Sequence, residues 1–405
     1  MTAPAAQRCD VAIVGGGMVG ASLALALAGT RLKVLLIEAV AAGSDQQPSF
    51  DQRSTALGNG ARQILATLGV WDEIAPAAAP IREIHVSDAG HFGFARLNAA
   101  DHELEAFGYT VNNRQLGAVL WRALERYPQV QLRSPARVTA FSVGPDWAEL
   151  RIDDGKLVQA RLVVAADGAH SLVKQAAGIA SNERDYDQVA LVANIRTDRS
   201  ARGVAYERFT ATGPLALLPL ADGSYTVIWT TGPERAAAMR ACDDAEFCRL
   251  LQHSFGWRAG QILSVGKRAS YPLSLVSAQQ LCGQRLVLVG NAAQALHPVA
   301  AQGFNLGLRD AATLAELIAG ASDPGAEHLL AQFAQRRSAD RRGMIGFTDQ
   351  LVKLFDSPRL TAIAARNLGL LLFDLNAPAK RALSRLSWGF GGALPRLSRG
   401  LPLQS

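Results

Sequence analysis

The feature that most constrains this chain is a glycine-rich turn, Gly15-Gly16-Gly17-Met18-Val19-Gly20. It stands between an apolar run at residues 11–14 and an Ala/Leu-rich run at residues 21–28. The first run is short, continuous and apolar, which suits a strand buried on both faces. The second has the composition of a helix. A further apolar stretch, residues 33–37, ends at Glu38. The order strand, glycine turn, helix, strand is the βαβ context in which the spacing Gly15-x-Gly17-x-x-Gly20 acquires meaning. Gly15 permits the tight turn, Gly17 lets backbone approach a pyrophosphate, and Gly20 lets the helix pack closely on the strand. The first helical turn, with Met18 and Val19, offers free N–H groups and a partial positive charge to phosphate. Glu38 stands 18 residues beyond Gly20, where a carboxylate can bond a ribose hydroxyl. A helix-start or surface glutamate is the plainer reading of Glu38 taken alone. Together these residues predict an adenine-dinucleotide site, and they leave FAD and NAD undistinguished.

Several function classes fall away. The chain has 405 residues, 49% hydrophobic and 19% charged, a globular balance long enough for two or three domains. The N-terminus has no apolar core of a secretory signal, and residues 21–28 fall far short of the ~20 needed to span a bilayer. The expectation is a cytoplasmic protein. Cys9, Cys242, Cys248 and Cys282 form no CxxC pair and the histidines no HExxH, so free thiols and no metal are expected. A net charge of +6 suits nucleic acid, an anionic membrane surface or an anionic cofactor. No nucleic-acid module is present and aromatics are sparse, which leaves the last two.

Along the chain, residues 54–68 read as a helix after a polar loop, and residues 81–98 alternate as strands do. Residues 112–126 form an amphipathic helix, and 147–152 with 157–164 a hairpin turned at Asp153-Asp154-Gly155. Residues 189–229 carry short alternating runs with turn signals at Gly213-Pro214 and Asp222-Gly223, as in an antiparallel sheet. Parallel-type strand text returns at 286–289, and from about 327 the chain reads as helical.

Two later segments repeat the opening design. Leu162-Val-Val-Ala-Ala-Asp167-Gly168 is an apolar strand entering an Asp-Gly turn, followed by Ala-His-Ser171-Leu-Val-Lys174. Leu286-Val-Leu-Val-Gly290-Asn291-Ala-Ala-Gln-Ala-Leu-His297-Pro298 is a strand entering a Gly-polar turn. Val-Ala-Ala301-Gln302-Gly303-Phe304-Asn305-Leu-Gly307 then feeds a helix through Arg309-Asp310. Either segment alone reads as a loop capped by turn residues. With all three in this order, the chain resembles the flavoprotein aromatic hydroxylases of the p-hydroxybenzoate hydroxylase class. Within them it is most similar to the ubiquinone-biosynthesis hydroxylases, in particular those acting on 2-polyprenyl-6-methoxyphenols. Asn291-Ala-Ala-Gln followed by Leu-His297-Pro298 is the subgroup's mark, and Asp51-Gln-Arg53-Ser-Thr-Ala-Leu57 resembles its early loop. The resemblance covers residues from about 10 to 345.

That resemblance implies an α/β fold: a Rossmann-like FAD-binding domain (1–80, 100–180 and 275–345) interleaved with an antiparallel-sheet substrate domain (81–99 and 181–274). A C-terminal helical segment with a basic tail (346–405) follows. It implies FAD, with NAD(P)H as a transient co-substrate and O2 as oxidant, a flavin hydroperoxide hydroxylating the ring of a polyprenyl phenol. Gly15, Gly17 and Gly20 then hold the pyrophosphate and Glu38 the ribose. Arg53 lies beside the flavin, Arg114 near the ribityl chain, and Asp167 and Gly168 serve FAD and the visiting nucleotide. Gly290 and Asn291 meet a ribityl or ribose hydroxyl. The loop from Pro298 through Gln302, Gly303 and Phe304 to Asn305 turns its N–H groups to the pyrimidine end of the flavin. His297 is the candidate partner of the substrate phenol, a structural or FAD-facing histidine being its plainer reading. The departures are Asn291 for aspartate, Ala301 for glycine and Lys174 for arginine.

Leu215, Leu217, Leu218, Val227 and Trp229 are candidates for the cavity wall, ordinary core being the plainer reading for most of them, because alternation predicts burial and not contact. Residues 380–405 carry Lys380, Arg381, Arg385, Arg396 and Arg399 without an acid, interleaved with Leu383, Leu386, Trp388, Phe390 and Leu394. Such a stretch suits peripheral membrane contact, docking in a ubiquinone-biosynthesis protein complex, or a solvated end. A prenyl-chain reductase shares the flavin architecture, and a scaffold keeping FAD only for folding is the non-enzymatic alternative. A flavin halogenase would need a Trp-x-Trp-x-Ile-Pro segment, which the chain lacks.

Overall fold

The computed structural model describes residues 6–41, 44, 47, 50–51, 53–296, 302–356, 367 and 394–403. The first sheet has the spatial order β18 (Cys282–Gly283), β19 (Leu286–Leu288), β11 (Leu157–Ala165), β1 (Gln7–Val14), β2 (Val34–Ile37) and β8 (Val130–Arg133). From β19 to β8 the strands run parallel. The hairpin of β9 (Val138–Val143) and β10 (Ala148–Ile152) extends β11 antiparallel. Val11 to Ile13, Leu35 to Ile37 and Leu162 to Ala165 are almost wholly buried, as strands covered on both faces must be. Helix α1 (Met18–Leu27) is buried from Gly20 to Leu27 on every side. Its Ala/Leu run leaves no polar stripe for solvent, so it packs between the sheet, α4 (Asn113–Glu125) and α8 (Gln302–Ile318).

A three-stranded sheet joins β3 (Ser54–Gly58), β7 (Gly108–Asn112) and β4 (Ala79–Ile81). Here the expected helix over 54–68 is corrected. Residues 54–58 pair with β7, from Ser54 opposite Asn112 to Gly58 opposite Gly108, and only then does α2 (Asn59–Thr67) begin. A ladder to a strand some fifty residues away overrides local preference, as strand environments commonly do. A one-turn helix, α3 (Trp71–Ile74), follows.

The largest sheet has the order β20 (Gln294–Ala295), β17 (Ala269–Ala278), β12 (Ser181–Thr197), β15 (Tyr225–Thr231), β14 (Gly213–Pro219), β13 (Val204–Thr210), β5 (Glu83–Asp88) and β6 (Phe94–Asn98). Strand β16 (Ile262–Val265) also pairs with β12. All its pairings are antiparallel except β13 with β5. Alternation sends Leu191, Ala193, Leu215, Leu217, Tyr225, Val227 and Trp229 to an outer face. There they form one core with Met239, Phe247, Leu251 and Phe255 of α6 (Pro233–Ala241) and α7 (Asp244–Phe255). The inner face carries Val192, Glu207, Ala216, Leu218 and Ile228, all half-buried. Of the five apolar candidates for the cavity wall, four are therefore outer core. Only Leu218 shares the inner face, because successive side chains on a strand point to opposite sides.

Helix α9 (Glu327–Asp356) ties α8 and the antiparallel sheet together through charged side chains. Arg337 Nε donates to Asp310 at 2.7 Å, and Arg309 and Arg337 both bond Asp340. Arg341 bonds Gln294 Oε1, Ser277 Oγ and the Ala293 carbonyl. Residues 380–393 of the basic tail lie outside the described residues. Its end folds back: Leu397 is buried in the core of the first sheet, its carbonyl accepts from Thr67 Oγ1 at 3.0 Å, and Arg396 N donates to Glu316 at 2.5 Å. Burial pushes the Cys9 and Cys282 thiols up to about 12, which leaves them unreactive. No helix among the described residues is long and apolar enough to cross a membrane.

Candidate active site

Strands β1, β11 and β19 are neighbours running the same way, so the turns at their carboxyl ends meet at one edge of the sheet. Gly15 has φ +102°, and a Cβ there would lie 2.5 Å from the Ala166 carbonyl oxygen, which joins the first turn to the second. Gly20 is tighter still, since a Cβ would come within 1.9 Å of the Gly15 oxygen. Gly290 has φ +59°, and a Cβ on it would meet Val19 at 3.1 Å. A Cβ on Gly307 would sit 2.9 Å from both Gly290 and Val19, which seats α8 beside the first and third turns. Three turns spread over almost 300 residues of sequence thus close on one spot. Ligands of open α/β sheets bind at such carboxyl-end crevices.

The chemistry of this spot suits a dinucleotide. Gly17 caps α1 without a side-chain acceptor, and no acidic residue occupies the first turn. Gly17, Met18 and Val19 keep part of their surface open, so the first amides of the helix are left unsatisfied in a position that suits an anion. Glu38 is buried, its Oε2 accepting from Gly16 N at 2.6 Å and its Oε1 from Val40 N at 2.8 Å. It therefore shapes the glycine turn directly, and each oxygen keeps a lone pair for a ribose hydroxyl. Trp121, which sequence reasoning missed, donates from Nε1 to the Gly16 carbonyl at 2.9 Å.

In the second turn, Asp167 Oδ2 accepts from Leu172 N at 3.1 Å, at the start of α5 (Leu172–Ala176). Asp167 Oδ1 is buried without a partner, and burial raises its carboxyl. A Cβ on Gly168 would meet nothing within 4 Å. A buried carboxylate oxygen left without a partner calls for an explanation, and a ligand's hydroxyl is one that fits. Lys174 serves the turn itself, Nζ donating to the Ala169 carbonyl at 2.7 Å.

In the third turn, Asn291 is exposed within a tight turn over Gly290–Ala292. His297 and Pro298 lie outside the described residues. Gln302, Gly303, Phe304 and Asn305 belong to the first turn of α8, which corrects the expected loop. Their backbone amides remain those that a helix start leaves unpaired. The Asn305 side chain is committed elsewhere, accepting from Gly58 N at 2.9 Å and donating to the Ala56 carbonyl at 2.8 Å. Gln294 is locked between Asp310 and Arg341, at 2.8 and 3.0 Å.

Around this centre, Arg53 pairs with Asp51 and lies 4.4 Å over the Tyr271 ring, whose hydroxyl donates to Asp51 at 3.1 Å. Arg114 is exposed and lines a cavity of about 640 Å³ with Ser54, Asn112, Asn194 and Ser224. Ser54 and Thr226 hydroxyls meet at 3.1 Å, which brings the inner face of the large sheet against β3.

A parallel sheet whose carboxyl-end turns converge, roofed by an antiparallel sheet, defines a class: flavoproteins that bind an adenine dinucleotide across the strand ends. The chain belongs to the FAD binding domain family, whose model matches residues 8–348, and within it to the ubiquinone-biosynthesis hydroxylases. It is 38% identical to a ubiquinone hydroxylase of Rhodospirillum rubrum, over 100% of this chain and 95% of the relative. It is 33% identical to the 3-demethoxyubiquinol 3-hydroxylase of Escherichia coli (strain K12), over 95% and 99%. Among solved structures, p-nitrophenol 4-monooxygenase from Pseudomonas putida superposes with a TM-score of 0.79 at 20% identity, covering 95% of this chain and 99% of that one. That likeness is one of fold. FAD is the cofactor, and the chain is an FAD-dependent hydroxylase.

Proposed function

We propose that this enzyme adds a hydroxyl to the aromatic ring of a polyprenyl phenol, a quinone precursor; the relatives' names, ubiquinone hydroxylase and 3-demethoxyubiquinol 3-hydroxylase, support this reading. The balanced reaction is NAD(P)H, a proton, O2 and a ring C–H giving NAD(P)+, water and a ring C–OH. The observation that carries this reading is the convergence of the three turns under a sheet whose facing side is aliphatic and half-open. FAD, when bound, takes reducing equivalents from NAD(P)H and activates dioxygen. The chain binds, orients and excludes water. The α1 amides and Gly17 would hold the diphosphate, Glu38 a ribose hydroxyl, and Asp167 Oδ1 and Asn291 further hydroxyls. The first-turn amides of α8, from Gln302 to Asn305, supply positive potential toward an anionic ring edge. Arg53, held by Asp51 and Tyr271, adds a cation near that edge, and Arg114 one beside the cavity. His297 is proposed as a hydrogen-bond donor to the oxygen of the substrate hydroxyl. Val192, Leu218 and Ile228 keep the inner face dry.

An apolar substrate needs delivery, and the cationic stretch Lys380, Arg381 and Arg385 supports peripheral contact with an anionic membrane or with a complex of pathway enzymes. The decisive experiment supplies yellow, FAD-loaded protein with NADPH, a prenylated phenol and isotopically labelled O2. One labelled oxygen in the product is expected. NADPH consumption with a saturated prenyl chain and no label would convert the reading to a reductase.

A further inference from the structure

Glu207 lies mid-strand in β13, and its neighbours define where it faces. Tyr206 packs edge-on to Phe255, 5.3 Å between ring centres, and Arg208 Nε donates to the Ser254 carbonyl at 3.1 Å. Both therefore point at α7. Alternation turns Glu207 to the opposite, inner face. Register sets it between Ala216 and Val86, and the same row continues through Ile228, Val192 and Ala269. Every other member of this row is aliphatic. One carboxyl has been set into an apolar stripe, deep in the protein yet with part of its surface still accessible.

Among the described residues, the Glu207 carboxyl has no hydrogen-bond or ion-pair partner. The charged group nearest in register on its face is Asp88, which accepts from Asn367 Nδ2 at 3.0 Å and lies 3.3 Å from His91 Nδ1. Tyr271, with Asp51 and Arg53, lies across the sheet on β17 and its own bonds are made there. Burial alone pushes the Glu207 carboxyl up to about 7. A desolvated carboxyl without a partner is costly to the fold, and such groups concentrate where a ligand completes them.

Resting on the hydroxylase reading above, the geometry points to Glu207 as the residue that receives the ring hydroxyl of the substrate, with the aliphatic row beside it carrying the prenyl chain. From β13 to β12 that row crosses three strand spacings, about 14 Å. The phenol O–H donates to the carboxylate and no bond is broken. The contact fixes which ring edge is presented, and it leaves more electron density on a ring that must react with an electrophilic oxygen. An oxygen-bearing head and an apolar tail thus meet, on one face, the residues that suit each.

The test uses the FAD-loaded enzyme with a short-chain prenylated phenol and its methyl ether, which cannot donate. E207L should keep its FAD, lose about tenfold in apparent affinity for the phenol, and cease to distinguish phenol from ether. Flavin-absorbance titration measures this without turnover. In turnover the loss falls mainly in KM. For the wild type, kcat/KM should rise as pH passes through about 7, while E207Q, which keeps an acceptor carbonyl, binds within a few-fold and has no such inflection. Unchanged phenol-over-ether preference in E207L overturns the assignment. If E207L loses FAD, E207Q decides, and retention of the wild-type pH profile there overturns it equally. Should the wild type bind the phenol but insert no oxygen, the hydroxylase reading fails while the binding arm still judges Glu207.

Discussion

The two faces of the nine-stranded sheet are built from almost the same alphabet and do different work. On the outer face Leu215, Leu217, Val227 and Trp229 have no accessible surface and interlock with α6 and α7. On the inner face Val192, Ala216, Leu218 and Ile228 stay half-buried, with Glu207 among them. Burial closed on all sides contributes stability, whereas apolar surface left open is available to a ligand. The outer face therefore fixes where the strands lie, and the inner face is free to be specified by what it binds.

The difference can be broken most forcefully at Trp229. Trp229→Ala should cost about 3–5 kcal/mol, measured by urea unfolding, because the side chain leaves a cavity in a closed core. A cost below about 1 kcal/mol would erase the distinction between the faces.

Two titratable groups sharpen it with opposite signs. His85, on the outer side beside Tyr206, is held down to about 4 by burial and by Arg258 and Arg96. The unfolded chain takes up that proton first, so stability is lost as pH falls from about 6.5 towards 4. Glu207 is raised from 4.5 to about 7, so the folded chain holds the proton more tightly. Its contribution is lost as pH rises through that window, by roughly 3 kcal/mol. Unfolding measured across pH 4–8 should show His85→Gln removing the acid-side loss and Glu207→Leu removing the neutral-side one.

The smallest effect is expected at Ile228→Ala, which should cost about 1–2 kcal/mol, since much of that surface is already open. The same change should raise KM for a long-chain phenol several-fold and leave it unaltered for an unprenylated one. Equal shifts for both substrates would mean that the row does not carry the chain.

What could be read from the sequence follows the same division. The turn at Gly15 to Gly20 was legible because its glycines, the apolar run before it and Glu38 lie within one βαβ stretch. The strands at 157–165 and 286–288 were legible because parallel strands are apolar throughout. The sheet face of Leu217 and Val227 was not, because both faces are apolar and alternation says only that they differ from Leu218 and Ile228. Strand β3 was missed because its partner β7 is remote, and Trp121 because its bond to Gly16 joins residues 105 apart. Glu207 left one signal, a lone carboxylate within an alternating apolar strand. The Asn305 side chain turned to β3, and the Arg337–Asp310 pair formed, through contacts that no local pattern encodes.

Arg341 touches Ser277 of the antiparallel sheet, the Ala293 carbonyl beside the third turn, and Gln294. Gln294 in turn bonds Asp310 of α8, so the roof, α8 and α9 share one seam of polar bonds. Parting the roof from α8 would break that seam at the buried Asp310 carboxylate. The spacing between roof and helix is thus held by polar bonds and is not left to whatever comes to lie between them.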